Sequence, residues 1–219
     1  LAVIISLGAG ASNAFAGWSP KPTKAVPGQL AAASAACQRS QSSVAGDPLA
    51  IADTRGPFTF AVYANSESTI SCIQGPSFVL LSQSKTSSPV NVPADRVLIS
   101  SLRRSARGGH AFGFTYGRTG TSVSAVTLVL DDGTKVQATV ANGWFVAWWP
   151  SGAQLKAAEL TTPSGVSTQT FNLPQGCNTN KDCPGGNSVV HESGAGQGGF
   201  GMDGVGKGGG KQSGVSFSQ

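Results

Sequence analysis

The stretch from Ser122 to Trp149 constrains the fold most, because it contains three strand-like runs separated by two turn signals. The dipeptides Asp132-Gly133 and Asn142-Gly143 both favour the positive φ angles of two-residue hairpin turns. The three runs therefore predict an antiparallel meander. Three of the four tryptophans of the chain lie on its last run.

Alternation of apolar and polar residues continues on both sides of this meander. Short strands at regular spacing, with turn residues between them, are typical of antiparallel sandwiches and barrels. We predict a mainly β protein: an antiparallel β-sandwich or barrel-like domain of about ten strands, with one short N-terminal helix. The strands predicted outside the meander are Leu49–Thr54, Pro57–Ala64, Thr69–Ile73, Ser77–Ser82, Arg96–Leu102, His110–Gly117, Gln154–Thr161 and Val166–Leu173.

The composition changes along the chain and predicts its organisation. Residues 17–28 form a Pro-rich linker, and residues 29–173 form the β domain, beginning with a helix over Gln29–Arg39. Residues 103–109 are predicted to be a flexible connector between strands. Residues 174–219 contain 14 glycines and little apolar material. Burial cannot offset the entropy of ordering such a segment, so we expect a disordered Gly-rich tail.

The N-terminal residues carry signs of export. An uncharged apolar run covers Leu1 to Ala11, and Ala14-Phe15-Ala16 before Gly17 has the small-x-small pattern of a signal peptidase site. Residues 1–16 are therefore predicted to be a signal peptide or the end of a membrane anchor. Either interpretation places the rest of the chain outside the cytoplasm.

The four cysteines agree with export, because they are even in number and widely spaced. Four cysteines allow three pairings, of which we favour Cys37–Cys72 and Cys177–Cys183. The first pair would join the N-terminal helix to the sheet. The two histidines lie far apart and offer no zinc-finger spacing, so no metal site is expected.

The net charge of +5 is unevenly placed, because residues 1–120 carry +6 and residues 121–219 carry −1, and the densest basic stretch lies in the first part. A solvated loop is one interpretation of this stretch. The other is electrostatic contact with an anionic cell-wall polymer or with lipid headgroups. Nucleic acid is not an expected partner, because aromatic residues do not interleave with these arginines. The stretch contains Arg103, Arg104, Arg107 and Arg118.

Two pairs of residues are candidate ligand-binding sites. Trp148 and Trp149 end a strand with aromatic rings on both faces, which suits either a platform for an apolar or sugar ligand or packing between sheets. We expect Trp149, before Pro150, to be the most exposed of these rings. Asp53 and Arg55 flank a turn, where they could orient a carboxylate or phosphate or satisfy the turn backbone.

Other motifs predict no chemistry. Ser77 lies in an incomplete nucleophile-elbow pattern, and His110 has no identifiable partner. Gly199–Gly204 matches a dinucleotide fingerprint, but no strand precedes it and no helix follows it. The polar residues at 178, 180 and 182 have calcium-loop spacing without the required Gly and Glu. We therefore predict no catalytic residue, no metal and no cofactor.

Several of these segments, taken in order, resemble a group of exported or membrane-anchored proteins of actinobacteria without a characterised function. The resemblance covers roughly Gly17 to Leu173. It implies export, a Cys37–Cys72 pairing and a single extracytoplasmic β domain behind an N-terminal membrane segment. It brings no catalytic residues. The segments that carry it are Gly17–Pro20, Ala35–Cys37, Asp53–Phe58, Ser71–Phe78 and Asn142–Pro150.

These observations predict a non-enzymatic extracytoplasmic domain, secreted or membrane-anchored, that binds or senses a component of the cell envelope. Its partner would be an envelope polymer, a lipid surface or a membrane protein. One alternative is an exported hydrolase acting on envelope polymers, which requires His110 to lie near Ser77 or Asp53. Another is the outer domain of a membrane-anchored regulator.

Overall fold

A computed structural model describes residues 15–85, 91–107, 110–171 and 189–192 of the chain. The described residues form a mainly β protein with antiparallel sheets and one short helix, which confirms the predicted fold class. Helix α1 spans Gln29–Ser40, and a 3₁₀ turn follows at Ser42–Gly46. The strands are β1 Leu49–Arg55, β2 Phe58–Ala64, β3 Ser68–Gly75, β4 Phe78–Lys85, β5 Val97–Arg107, β6 His110–Thr119, β7 Ala125–Leu130, β8 Lys135–Gln137, β9 Thr139–Ala141, β10 Trp144–Trp149, β11 Leu155–Thr162, β12 Gly165–Thr170 and β13 Val189–Glu192.

These strands form three sheets that lie in consecutive layers. Sheet A has the order β1-β2-β3-β4-β13, sheet B has β5-β6-β10-β9, and sheet C has β12-β11-β7-β8. One apolar core lies between sheets A and B, and a second lies between sheets B and C. A third, smaller core lies between α1 and the outer face of sheet A. The layer order is therefore helix, sheet A, sheet B, sheet C.

Strand β10 lies in the middle layer and explains the Trp-rich run. All six of its residues are buried. Trp144, Val146 and Trp148 enter the core shared with sheet A, whereas the residues between them enter the core shared with sheet C. A strand covered on both faces needs apolar residues at every position, so the run is continuously apolar instead of alternating.

Trp149 is 1 % exposed, so the expectation that it is the most exposed ring of this strand is wrong. Its ring lies over Gly113, its partner on β6. A Cβ atom at Gly113 would lie 2.4 Å from Trp149 Cε2, so this position requires glycine. The Trp149 ring at the strand end is covered because sheet C closes over it.

The predicted meander is present, but its middle run changes sheets. Strand β8 pairs with β7 in sheet C, and β9 pairs with β10 in sheet B, with only Ala138 between β8 and β9. At the second turn, Asn142 and Gly143 both have positive φ angles (54° and 71°), as predicted. The first turn is longer than the predicted two residues: Leu130 N donates to Thr134 O, and only Gly133 has a positive φ.

Several element predictions need correction or lie outside the described residues. Strand β5 continues to Arg107, so residues 103–107 are not a flexible connector. Residues 17–28 form neither helix nor strand, as expected of a linker, but their backbone is hydrogen-bonded to β1 and β8 of the β domain. Within the predicted tail, Val189–Glu192 pairs with β4 as an edge strand. The rest of that tail, the predicted Cys177–Cys183 pair and residues 1–14 lie outside the described residues.

The predicted disulfide between Cys37 and Cys72 is present and joins α1 to β3. The two Cα atoms are 6.2 Å apart, and both cysteines are fully buried in the core between the helix and sheet A. A buried structural disulfide indicates an oxidising environment outside the cytoplasm. Within the described residues, no helix combines the length and the apolar character needed to cross a membrane.

Replacing both Cys37 and Cys72 by Ala should lower the free energy of unfolding by about 3 to 4 kcal/mol, because the bridge restricts a loop of 35 residues in the unfolded chain. The measurement is urea denaturation monitored by tryptophan fluorescence. The matched control replaces Cys177 and Cys183 by Ala in the same full chain. Equal stability of the two double variants would contradict a stabilising role for the Cys37–Cys72 bridge.

Candidate functional site

The predicted Asp53–Arg55 pair exists as a buried ion pair at the end of β1. Arg55 Nε donates to Asp53 Oδ1 at 2.7 Å, and Arg55 Nη2 donates to Oδ2 at 2.9 Å. Both side chains are 0 % exposed. The two residues alternate with Thr54, so they extend from the same face of the strand and meet in a two-point contact.

The remaining hydrogen bonds of this pair hold the strand that changes sheets. Arg55 Nη2 also donates to Gln137 O at 2.6 Å, and Thr139 Oγ1 donates to Asp53 Oδ2 at 2.9 Å. Gln137 and Thr139 flank the change from sheet C to sheet B at Ala138. Burial raises the pKa of Asp53, while the Arg55 guanidinium and the Thr139 hydroxyl act in the opposite direction. The pair therefore connects β1 of sheet A to both other sheets.

The same pair also holds the N-terminal strap, which we define as Phe15 to Thr23. Arg55 Nη1 donates to Ser19 O at 3.0 Å, and Gln137 N donates to Pro20 O at 2.9 Å. Thr23 N donates to Thr54 O at 2.7 Å, and the Thr54 hydroxyl bonds back to Thr23 O. The strap thus adds a further layer of hydrogen bonds over the edge of sheet A.

The two candidate tryptophans lie in the two cores. Trp148 is fully buried between sheets A and B, where its ring lies 5.1 Å from that of Phe58 and 6.0 Å from that of Trp18. Trp149 lies between sheets B and C, and its Nε1 donates to Ala153 O at 2.9 Å. Like Asp53 and Arg55, both have at most 1 % of their surface exposed. Ligand binding at these four residues stays a prediction, and their contacts are those of packing and of joining the sheets.

The basic stretch does not form one compact patch among the described side chains. On the β5–β6 hairpin, Arg118 lies opposite Leu98 and Arg103 lies opposite Phe114. The two arginines are therefore separated by roughly 15 Å along the strands, at about 3.3 Å per residue. Arg118 lies 3.8 Å above the Trp144 ring, and Arg104 Nη1 donates to Gly152 O at 3.3 Å.

A group of hydroxyls that the sequence analysis did not identify lies between sheets A and B. We call it the hydroxyl cluster. Its members on sheet A continue the inward-facing rows of β2, because Val62 pairs with Ser71 and Ala64 pairs with Thr69. On sheet B, Ser101 pairs with Tyr116. Except for the half-buried Ser84, all members are at most 6 % exposed. The cluster comprises Thr69, Ser71, Ser82, Ser84, Ser101 and Tyr116.

Tyr116 is the centre of this cluster. Its hydroxyl lies 3.3 Å from Ser84 Oγ, within hydrogen-bond distance, and the hydroxyls of Ser71 and Ser101 are near enough to influence its pKa. Burial raises the pKa of Tyr116, and the serine hydroxyls together with the positive charge of Arg103 lower it in part. Arg103 is half-buried, so a guanidinium charge lies at the margin of a group of buried hydroxyls.

The hydroxyl cluster was missed because serine and threonine in alternating strands usually face water. The signal that identifies it is Cys72. Its bridge to α1 places Cys72 on the helix side of β3, so the alternation places Thr69, Ser71 and Ile73 on the inner side. Strand β4 then follows by register, with Ser82 opposite Ser71 and Ser84 opposite Thr69.

The arrangement suits binding better than acid–base chemistry. Hydroxyls both donate and accept hydrogen bonds, and a nearby guanidinium favours negatively charged oxygen. Among the described residues, no group of three or more His, Cys, Asp or Glu side chains could hold a metal ion. Ser77 lies in the turn between β3 and β4, and the side chain of His110 lies outside the description.

In comparisons with known proteins, no family model matches this sequence, and no curated protein and no solved structure matches it at a significant level.

Replacing Asp53 by Asn should lower the free energy of unfolding by about 3 to 5 kcal/mol, because it leaves the charge of Arg55 buried without its counter-ion. Thr139→Val, which removes one hydrogen bond to Asp53, should cost about 1 kcal/mol. The control is Glu159→Gln in the surface pair with Lys135, with an expected change below about 1 kcal/mol. Denaturation curves test all three. A D53N variant as stable as the E159Q control would contradict the role of the Asp53–Arg55 ion pair in connecting the three sheets.

Replacing Tyr116 by Phe should lower the free energy of unfolding by about 0.5 to 1.5 kcal/mol, because the hydrogen bond to Ser84 is lost. Tyr63→Phe is the matched control on the helix side of sheet A. Its hydroxyl is buried with no hydrogen-bond partner among the described residues, so its removal should leave stability unchanged or raise it. The measurement is urea denaturation of both variants. If Tyr63→Phe lowered the free energy of unfolding more than Tyr116→Phe does, the hydrogen bond between Tyr116 and Ser84 would be contradicted.

Proposed function

We propose that this chain is a non-enzymatic extracytoplasmic binding domain of the cell envelope. The hydroxyl cluster and Arg103 are its binding site, and the ligand carries a carboxylate or phosphate group. The observation that carries the proposal is the group of five buried or half-buried Ser and Thr residues that lies with Tyr116 between sheets A and B, beside the positive charge of Arg103 and next to a core rich in aromatic rings.

The chemistry of the cluster favours an oxyanion. Ser71, Ser101 and Tyr116 can each turn a hydroxyl hydrogen toward an incoming oxygen. None of the six cluster members is acidic, so nothing within it repels a negative charge. Arg103 has an interaction of its own and contributes its charge to the site. Charge-assisted hydrogen bonds of this kind are roughly twice as strong as neutral ones.

The approach to the site is the margin of the cluster. Ser84 and Arg103 are half-buried, whereas Tyr116 behind them is 1 % exposed. A ligand group that enters here meets Ser84 and Arg103 before it reaches the Tyr116 hydroxyl. An acidic substituent of an envelope polymer has this chemistry, and the net charge of +5 assists its approach by long-range attraction.

Three features support an extracytoplasmic location. The Cys37–Cys72 bridge is buried and structural, the N-terminal residues have the composition of an export segment, and the resemblance to exported or membrane-anchored actinobacterial proteins implies export. The hydrolase alternative is less favoured, because both carboxylate oxygens of Asp53 are occupied by Arg55 and Thr139 and cannot act on a substrate.

The test is a titration of the purified full chain, monitored by the tyrosine and backbone amide signals of NMR spectra. The probes are inorganic phosphate, acetate and, as a neutral control, glucose. Phosphate or acetate should shift the Tyr116 signals and glucose should not. Tyr116→Phe should weaken binding about tenfold, the effect of losing one charge-assisted hydrogen bond, and Tyr63→Phe should not change it.

Two outcomes contradict the proposal. One is binding of phosphate or acetate that is identical in the wild type and the Tyr116→Phe variant. The other is turnover of ester, peptide or glycan substrates that a single substitution at Ser77 or His110 abolishes, which would favour the hydrolase.

A further inference from the structure

The aromatic ring of Phe15 is part of the core between sheets A and B. Phe15 is 6 % exposed, and its ring centroid lies 6.2 Å from that of Phe58, 5.8 Å from that of Phe112 and 5.7 Å from that of Trp148. These three neighbours come from β2, β6 and β10, so Phe15 contacts both sheets of this core.

The backbone around Phe15 is also held in place. Trp18 N donates to Phe15 O at 3.1 Å, which closes a tight turn. The indole nitrogen of Trp18 donates to Trp148 O at 3.3 Å. At Gly56, a Cβ atom would lie 2.1 Å from Gly17 O, so the strap and the β1–β2 turn approach at backbone distance. Phe15 is thus the first described residue of a tightly packed segment.

This position conflicts with the export motif. A signal peptidase cut after Ala16 in Ala14-Phe15-Ala16 would remove Phe15 and would make Gly17 the first residue of the mature protein. The product would lack one ring of an aromatic cluster and would contain a cavity between sheets A and B. We infer that the Ala16–Gly17 bond is not the processing site and that the mature protein retains Phe15 as a core residue.

This inference rests on the export proposed above, but its structural part can be tested without export. Two purified forms that share the C-terminus of the chain are compared, one beginning at Ala14 and one beginning at Gly17. The form beginning at Gly17 should have a melting temperature lower by roughly 6 to 20 °C, the expected shift for loss of a buried Phe ring in a domain of this size.

Substitutions of Phe15 in the full chain show how much of the change in melting temperature comes from the aromatic ring and how much from removal of the N-terminal residues. Phe15→Ala should lower the melting temperature about as much as beginning at Gly17, and Phe15→Leu should lower it less. The control is Val26→Ala, at a side chain that is 62 % exposed, which should have no effect. If the forms beginning at Ala14 and Gly17 melt together, the inference is wrong.

The processing site in cells is tested separately. The protein is isolated from the cells that make it, and its N-terminal residue is identified by mass spectrometry. A terminus at or before Phe15 supports the inference, and a terminus at Gly17 overturns it. A protein recovered from the cytoplasm with reduced Cys37 and Cys72 would instead contradict the proposed export, and the melting comparison would still decide whether Phe15 belongs to the domain.

Discussion

The buried ion pair of Asp53 and Arg55 holds the side of the molecule on which the edges of all three sheets meet. Strand β1 is the edge of sheet A, β9 is the edge of sheet B, and β8 is the edge of sheet C. Desolvation makes an isolated buried charge costly, and a buried pair is tolerated only when its remaining hydrogen-bonding groups are also satisfied. Here they are, because the pair reaches Ser19, Gln137 and Thr139 as well as each partner.

The ion pair determines which sheet each part of residues 135–141 joins, and it also stabilises the fold. Residues 135–140 alternate without interruption, and nothing in their side chains separates a part for sheet C from a part for sheet B. A hydrogen bond to Gln137 O and another from Thr139 fix both sides of Ala138 against β1, and the change of sheet occurs between them. On the opposite side, sheets B and C are joined by the Gln169 side chain, which bonds both Val97 N and Val97 O.

The features that local sequence determines were predictable, and those that depend on layer order were not. The strands and the Asn142-Gly143 turn follow from alternation and from turn chemistry, and the Cys37–Cys72 bridge was the pairing favoured among three and implied by the resemblance. A third sheet has no local signal, so Trp149 at a strand end was expected to be exposed and is covered. Arg103 reads as part of a flexible connector because of its Arg- and Gly-containing surroundings, yet pairing with β6 extends the strand through it.

The hydroxyl cluster differs from the ion pair in what the fold requires of it. The ion pair connects three sheets, and no apolar residues could make the same directed bonds to Ser19 O and Gln137 O. The hydroxyls connect only sheets A and B, which already share the aromatic rings around Phe60, Phe114 and Trp148. Apolar side chains of similar size at Ser71, Ser82 and Ser101 would join these sheets at least as well, since an interior hydroxyl contributes little net stability. A polar group that the packing does not need, placed beside a guanidinium at the margin of a core, is the feature on which the proposed ligand site depends.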